Sequence, residues 1–338
     1  AFARTEEGAV FSALPDADHF PCHLYEAARD ASVCGMGAVL VWLDKSGPRV
    51  CPCDPMSVFF LRDGTAGTPV RAGVRLFQET DGTARGVLYE PERLRTFAIE
   101  HGGVRFQTEE ENLLHTMPLI PFYNNSEGRG DFEAVTGLVD AYNLLLSGAL
   151  DDMQSVANAF LALYGMQGTT QADIDQANRS RILSLSEGGR AEFVVKNLNH
   201  EALGQLEENL RRSILQLSMT PDLSDQNFAG NASGVALQYK LWGIEQVRSA
   251  KEQAFTDGIL ALLKALAGGL ATLGRPVTFR AKPTFYKNLP QDAAALSEAL
   301  LSLSPLPSRR TILERLPYVD DPVEEERRKE REESNLKE

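Results

Sequence analysis

The chain has 338 residues, with 34 Lys and Arg against 47 Asp and Glu, a formal net charge of −13. That balance argues against tight gripping of nucleic acid through its phosphates, because such binding is driven by cationic side chains that displace counterions. Hydrophobic residues at 43% and charged residues at 24% exclude wholesale disorder and leave core enough for two or more subdomains. The richest apolar stretch, Ile259 to Leu273, is broken by Lys264 and paired glycines and reads as too short for a membrane span, so no membrane partner is expected. Ala1 to Gly8 carry neither an initiator Met nor a basic-then-apolar leader, so the chain is expected to begin inside a longer gene product.

The first 120 or so residues read as short strands and turns. A helical run, Leu24 to Ala31, leads to Met36 to Leu43 and a turn at Lys45 to Pro48. Ser57 to Leu61, Val70 to Leu76, Gly86 to Tyr89, Leu94 to Ala98 and Val104 to Phe106 follow. Period-two alternation with Gly and Asp-Gly punctuation predicts an antiparallel meander with one buried face. All four cysteines, Cys22, Cys34, Cys51 and Cys53, lie in this region, and without a secretory signal reduced thiols are the default. A metal site can be written from His19, Cys22 and His23, with Cys51-x-Cys53 following. Pro21 between the histidines disfavours the helical turn that would align them, and no CxxC pair completes the pattern, so neither metal nor cofactor is expected.

After Pro121 to Asn125, apolar residues recur at three- and four-residue intervals from Val135 through Leu138, Tyr142, Leu145, Leu146, Met153 and Phe160 to Tyr164. This predicts one helix, or two nearly collinear ones, over about 34 residues and roughly 50 Å, with Ser147-Gly148 as the place for a bend. Gln167 to Asn199 is polar, with one hairpin expected between Arg181 to Leu185 and Ala191 to Val195. Helix returns from Glu201 to Leu217, and Thr220 to Ser233 interrupts it. A second long helical pattern runs from Gly234 to Leu273, then come a strand candidate at Val277 to Phe279, a helix from Gln291 to Leu303, a capped short helix from Ser308 to Leu316, and a charged helix after Pro322 with Glu324/Arg328 and Glu325/Lys329 at i and i+4. Two long helices joined through a small polar hairpin and a loop describe an α+β, elongated protomer.

Chemistry is sparse. There is no GxxxxGK[ST], HExxH, GxSxG or strand-bound GxGxxG, and His101, His115 and His200 stand alone. Asp151-Asp152 are adjacent on a helix and point about 100° apart, so they do not converge on a substrate. No catalytic residue is assigned; a metal-dependent hydrolase built on His19, His23 and the cysteines is the enzymatic alternative.

Three stretches carry a resemblance: Ile120-Pro-Phe-Tyr-Asn-Asn-Ser-Glu-Gly-Arg-Gly-Asp-Phe-Glu133 with Leu138 to Ser147; Met219-Thr-Pro-Asp-Leu-Ser-Asp-Gln-Asn-Phe-Ala-Gly-Asn-Ala-Ser-Gly-Val-Ala236; and Asn288-Leu-Pro290 with Ser308 to Pro317 and Val319 to Glu326. In this order the chain resembles the portal proteins of tailed bacteriophages, of the siphophage head-to-tail connector type. The resemblance implies a homo-oligomeric ring, dodecameric as a rule, at the portal vertex of the capsid in the virion, assembled in the host cytoplasm. Double-stranded DNA would pass through it during packaging and ejection. Its partners would be the terminase large subunit, a head-completion adaptor, and the major capsid and scaffolding proteins. A head protein that forms no channel is the other structural alternative.

On that template residues 1–130 resemble the β-rich wing, 131–165 the wing-to-stem helix, 166–200 a short clip, 201–219 the stem helix, 220–233 the tunnel loop, 234–290 the long wing helix and a strand, and 291–338 an α-helical crown. The resemblance makes Asp222, Ser224, Asp225, Gln226, Asn227, Asn231 and Ser233 the DNA-channel residues. They form a polar loop with no Lys or Arg, able to hydrogen-bond phosphates only transiently; a solvent-exposed turn between helices has the same composition. Arg179, Arg181, Arg190, Lys196, Arg211 and Arg212 are the candidate cations for DNA or acidic partners, or for salt bridges between neighbouring subunits of a ring.

Overall fold

The computed structural model describes residues 6–15, 17–65, 69–80, 82–100, 102–157, 160–165, 170–180, 188–194, 200–222 and 239–285, and, towards the C-terminus, 308–313, 316, 319 and 322–335. Helices and strands are mixed, the α+β class expected. The chain divides into two units, residues 1–225 with 240–283, and residues 226–239 with 284–338.

The first unit opens with α1 (Glu6–Ser12) and α2 (Phe20–Cys34), followed by β1 (Met36–Asp44) and β2 (Gly47–Cys53). The meander β3 (Val58–Arg62), β4 (Val70–Gln78), β5 (Ala84–Tyr89), β6 (Arg93–Glu100) and β7 (Gly103–Glu111) forms one antiparallel five-stranded sheet in sequence order, as the alternation predicts. Then β8 (Leu119–Tyr123) returns to pair with β1, giving a three-stranded sheet of order β2-β1-β8. Neither β2 nor β8 was legible as a strand, because Pro48, Pro52 and Pro121 interrupt them. Both are edge strands, the one place in a sheet where a missing N–H is tolerated.

Alternation along β1 sorts its side chains between two layers. Gly37 faces α2 so closely that an added Cβ would lie 2.2 Å from the Ala27 carbonyl oxygen. On β8, Phe122 packs against Phe255 at 5.3 Å between ring centroids and against the bare face of Gly258, both on α6 (Trp242–Thr272). The other face of the sheet, carrying Ala38, Leu40, Cys53 and Leu119, meets Val58 and Tyr89 of the meander, with Leu119 seated on Gly73. The order is therefore helices, three-stranded sheet, five-stranded sheet. Asp44 pins the β1–β2 turn by accepting from the Ser46 and Gly47 amides and from Arg49 Nε (2.8 Å), and its carboxyl is held well below the usual range, chiefly by Ser46.

Several expectations change. The helix at Leu24 to Ala31 is longer, because Pro21 falls at its first turn, where a proline costs no hydrogen bond; it does not separate the histidines, whose rings stack at 6.3 Å. The 34-residue helix ends early: α3 (Thr136–Ala157) runs unbroken through Gly148, but Phe160 to Tyr164 form β9, paired antiparallel with β10 (Arg190–Val194). Strand pairing overrides the helical spacing there. The described partner of β10 is thus β9, while Arg181 to Leu185 lie outside the described residues. Between them stands an unforeseen helix, α4 (Gln171–Ser180). Val277 to Phe279 form no strand; Phe279 instead packs edge-on against Phe11 at 5.5 Å. α6 is long and apolar enough, by length and composition alone, to cross a membrane, contrary to the reading of its interrupted pattern; Leu262, Leu263, Ala265, Leu266 and Leu270 are buried in the unit's core. Gln291 to Leu303 lie outside the described residues.

The second unit, by itself, holds α7 (Arg309–Leu313), capped by Ser308 Oγ accepting from the Thr311 amide at 3.3 Å, and α8 (Pro322–Asn335), which packs against it. On α8 Arg328 reaches Glu325 at i−3, 3.6 Å away.

Two helix glycines, Gly268 on α6 and Gly204 between His200 and Leu217, set a testable contrast. A Cβ on Gly268 would lie 2.2 Å from the backbone oxygen of Leu114, whereas one on Gly204 meets nothing within 4 Å. Gly268→Ala is expected to destabilise by about 1–3 kcal/mol through overpacking, and Gly204→Ala, in a helix interior, to stabilise by about 0.5–1 kcal/mol. Urea midpoints moving in opposite directions are the expected result; a shift of both upwards would remove the close approach from the account.

Candidate functional site

The segment in which the sequence places its candidates is α3, β9, α4, β10 and α5 (His200–Leu217). α3 leads into β9, and β10 leads back into α5, so the two helices leave the same two-stranded sheet. They pack on each other, and Tyr142 Oη donates to Glu207 at 3.4 Å. The predicted stripe faces this contact only in part: Leu138, Val139, Leu145, Leu203, Leu210 and Ile214 are half-buried. No residue of α5 is fully buried. Leu144 (75% exposed), Leu150 (60%) and Met153 (64%) on α3, with Leu206 and Leu217 on α5, lie open to solvent. Leu144 and Leu150 were missed because they lie off the stripe; the available signal was two leucines standing beside the polar line Asp140, Asn143, Ser147 and Asp151.

α4 is fixed by its own start. Asp173 accepts from both the amide (2.8 Å) and the hydroxyl (2.7 Å) of Thr170, which holds its carboxyl below the usual range. Thr170-x-x-Asp173 is a capping box of the kind readable in sequence. Arg179 sits exposed in its last turn. Arg190 on β10 pairs with Glu192 at 2.7 Å.

Arg211 and Asp222 are the two predicted residues that the structure joins. Arg211 Nη1 donates to Asp222 at 2.7 Å, while its Nε and Nη2 grip Glu208 at 3.0 and 3.1 Å. The fork raises the Arg211 pKa, first through Glu208 and then Asp222, and holds Glu208 below its usual range, chiefly through Arg211. Arg212 also donates to Glu208, at 3.2 Å. These cations are thus engaged inside the chain. At the end of α5 the backbone turns through Met219, a non-glycine residue at φ 55°, closed by the Thr220 amide on the Leu215 carbonyl at 2.9 Å. That is the position glycine normally takes in a helix-terminating motif. Arg181, Lys196, Ser224, Asp225, Gln226, Asn227, Asn231 and Ser233 lie outside the described residues.

The sequence's metal candidates separate. Cys22 is exposed on α2 beside the histidines, while Cys51 and Cys53 lie on β2 facing the meander. Among the described residues no three His, Cys, Asp or Glu side chains gather as metal ligands.

Because Arg211 ties Asp222 to α5, Arg211→Ala is expected to speed hydrogen exchange at the Thr220 amide about two- to fivefold, in keeping with the modest worth of partly exposed ion pairs. Arg212→Ala leaves it unchanged. Equal protection in wild type and Arg211→Ala, read by mass spectrometry, would show that the pair does not hold the chain after α5.

Residues 5–338 match the family model described as phage portal protein, SPP1 Gp6-like. A portal protein of Clostridium phage phiCD119 is 25% identical over 224 residues, covering 64% of this chain and 49% of that protein. A portal protein of Bacillus phage SPP1 is 22% identical over 215 residues, covering 62% of this chain and 43% of that protein. The chain spans about half the length of the curated relatives it matches.

Proposed function

The chain belongs to the SPP1 Gp6-like phage portal protein family, and from that membership we propose that it is one protomer of a closed, dodecameric ring at the capsid vertex. The ring is a conduit for double-stranded DNA in packaging and ejection. It is structural: the energy of translocation comes from a partner, the terminase, and a head-completion adaptor and the capsid and scaffolding proteins bind the same ring.

The observation that carries the reading is the uncovered apolar surface of α3 and α5. Leu144, Leu150 and Met153 on one helix and Leu206 and Leu217 on the other are 48–75% exposed, more than a two-helix leg leaves open without a neighbour. A heterologous contact repeated around a closed rotation covers such faces in every copy and leaves no free end. In this reading 1–130 is the wing, 131–165 the descending stem helix, 166–200 the clip, 201–219 the returning stem helix, 220–233 the tunnel loop, 234–290 the long wing helix and the segment after it, and 291–338 the crown. The stretch from Asp222 to Ser233 lines the passage, and with no Lys or Arg it touches phosphates without holding them.

Purified protein, alone or with its scaffolding partner, is expected to give annular particles by negative-stain imaging. Leu144→Glu with Leu150→Glu is expected to shift the population to monomers at least tenfold while leaving the fold intact by circular dichroism. Deleting residues 222–231 is expected to leave rings that package DNA poorly. Monomers under every condition would sink the ring, and intact packaging by the deletion would sink the tunnel-loop assignment.

A further inference from the structure

The three-stranded and five-stranded sheets end in four edge strands, β2, β8, β3 and β7, and the sequence blunts three of them. Pro48 and Pro52 interrupt β2, Pro121 interrupts β8, and β3 is only five residues long. Prolines and short strands are ordinary means of keeping an edge from pairing with another chain. The fourth edge, β7, has nine residues, no proline, and solvent along its whole length. It stands last in the order β3-β4-β5-β6-β7, so among the described residues no strand adjoins its outer side. Alternate residues there turn their N–H and C=O groups away from β6.

The side chains of β7 carry a pattern as well. Val104 lies opposite Ile99, Phe106 opposite Phe97, Glu109 opposite Arg95 and Glu111 opposite Arg93, and the break in register between Thr96 and Phe97 absorbs the odd step. Directly opposed residues share a face. This face is turned away from the three-stranded sheet, since Arg95 lies opposite Leu88, whereas the next residue, Tyr89, joins Leu119 in the cluster between the sheets. An antiparallel sheet with one side on a core ordinarily shows polar residues on the other. Here Ala72, Val74, Leu88 and Phe97 form a second apolar cluster, and its margin runs out onto Val104 (59% exposed) and Phe106 (51%). Phe106 is held in place, edge-on to Phe97 at 6.0 Å between centroids and with the Arg95 guanidinium 4.7 Å from its ring centre. Beyond it the strip turns acidic. Arg93 and Arg95 both pair with Glu90, Arg93 also reaches Glu109 at 3.4 Å, and Glu110 and Glu111 add further negative charge.

We propose that β7 is a docking edge for an extended segment of another protein, added as a sixth strand, with apolar side chains over Val104 and Phe106 and Lys or Arg against Glu109 and Glu111. Main-chain hydrogen bonds supply the attachment, and the alternate side chains select the partner. A second copy of the same strand fits poorly. Laid antiparallel with Val104 opposite Phe106, it sets Arg105 against Arg105 and leaves the glutamates with no strand opposite, and like charges directly opposed are destabilising. The same carboxylates repel nucleic acid, whose binding needs cations. The edge belongs to the meander and not to α3 or α5, on which the proposed ring rests, so monomers and rings both serve to test it.

The test uses the full chain and a capped, fluorescein-labelled peptide, Lys-Thr-Lys-Thr-Val-Thr-Val, followed by anisotropy. Saturable binding at submillimolar peptide is expected, with alternate amides of β7 slowed in hydrogen exchange. Two further peptides, methylated on the backbone nitrogens of the odd or of the even residues, separate strand addition from loose electrostatic attraction. One set is expected to weaken binding at least tenfold and the other to leave it within about twofold, because only one edge of the added strand pairs with β7. Glu109→Gln with Glu111→Gln is expected to weaken binding about fivefold, with the fold checked by circular dichroism. Val104→Ser, at an exposed position, is the second variant and weakens it about threefold. Exchanging both peptide lysines for glutamate abolishes binding. No binding at millimolar peptide, equal weakening by both methylated sets, undiminished binding of the glutamate peptide, or unchanged exchange along β7 would each overturn the proposal.

Discussion

The first unit depends on the pairing of β1 with β8, strands separated by the whole meander. Leu119, Ile120 and Phe122 are all but inaccessible to water, and alternation sends Phe122 to the helices and Leu119 to the five-stranded sheet. A slip of one residue would exchange these faces and set a phenyl ring against Gly73, where even an added Cβ would lie 2.9 Å from the Leu119 side chain. The register is therefore fixed from both sides. It also fixes where the chain leaves the core: Asn124, directly after β8, bonds through its side chain to the Arg129 carbonyl and Asp131, and Asp131 pairs with Lys251 on α6. The start of α3 is thus tied to the same helix that covers the sheet.

Glycine sets the thickness of these layers. At Gly37, Gly258 and Gly268 the neighbouring backbone or ring occupies the space of a side chain, so α2 and α6 lie closer to the sheet than side chains would allow. Beyond this core the physical regime changes. α3 and α5 have half-buried stripes and open leucines, and they hold to each other through one packed face and polar contacts such as Tyr142 with Glu207. The uncovered leucines of this helical leg, beside a dense anchor, are the surface on which the proposal of a ring rests.

The meander was legible because period two survives wherever one face is buried, as in Val70 to Leu76; β7, exposed along its whole length, was read only over Val104 to Phe106 and runs from Gly103 to Glu111. β2 and β8 were not, since their prolines read as turns and only their edge positions excuse them. The helical spacing from Phe160 to Tyr164 was genuine but was outweighed by pairing with Arg190 to Val194, a long-range partner that local pattern cannot reveal. Of the candidate site, the cations were legible as residues but not as engaged groups. Nothing in the sequence says that Arg211 folds back on Glu208 and reaches Asp222 across eleven positions. The family resemblance rested on motifs in order along the chain, and the match over residues 5–338 has the same extent.

The net charge of −13 first stands as an argument against any nucleic-acid partner. Arg190, Arg211 and Arg212 strengthen it, because each is bound to a carboxylate of its own chain and has little charge left to displace counterions from a duplex. For a protein that must hold DNA, this is disqualifying. For a passage through which DNA slides, each strong contact would add a barrier at every step, and repulsion screened within about 8 Å at physiological salt acts as a weak centring field rather than a block. In the proposed ring, a loop whose sequence offers amides and hydroxyls, beside cations paired internally, meets that requirement. Composition thus excludes grip while leaving contact open, and the Arg211–Asp222 pair, which neutralises a cation next to the proposed loop, supports that reading.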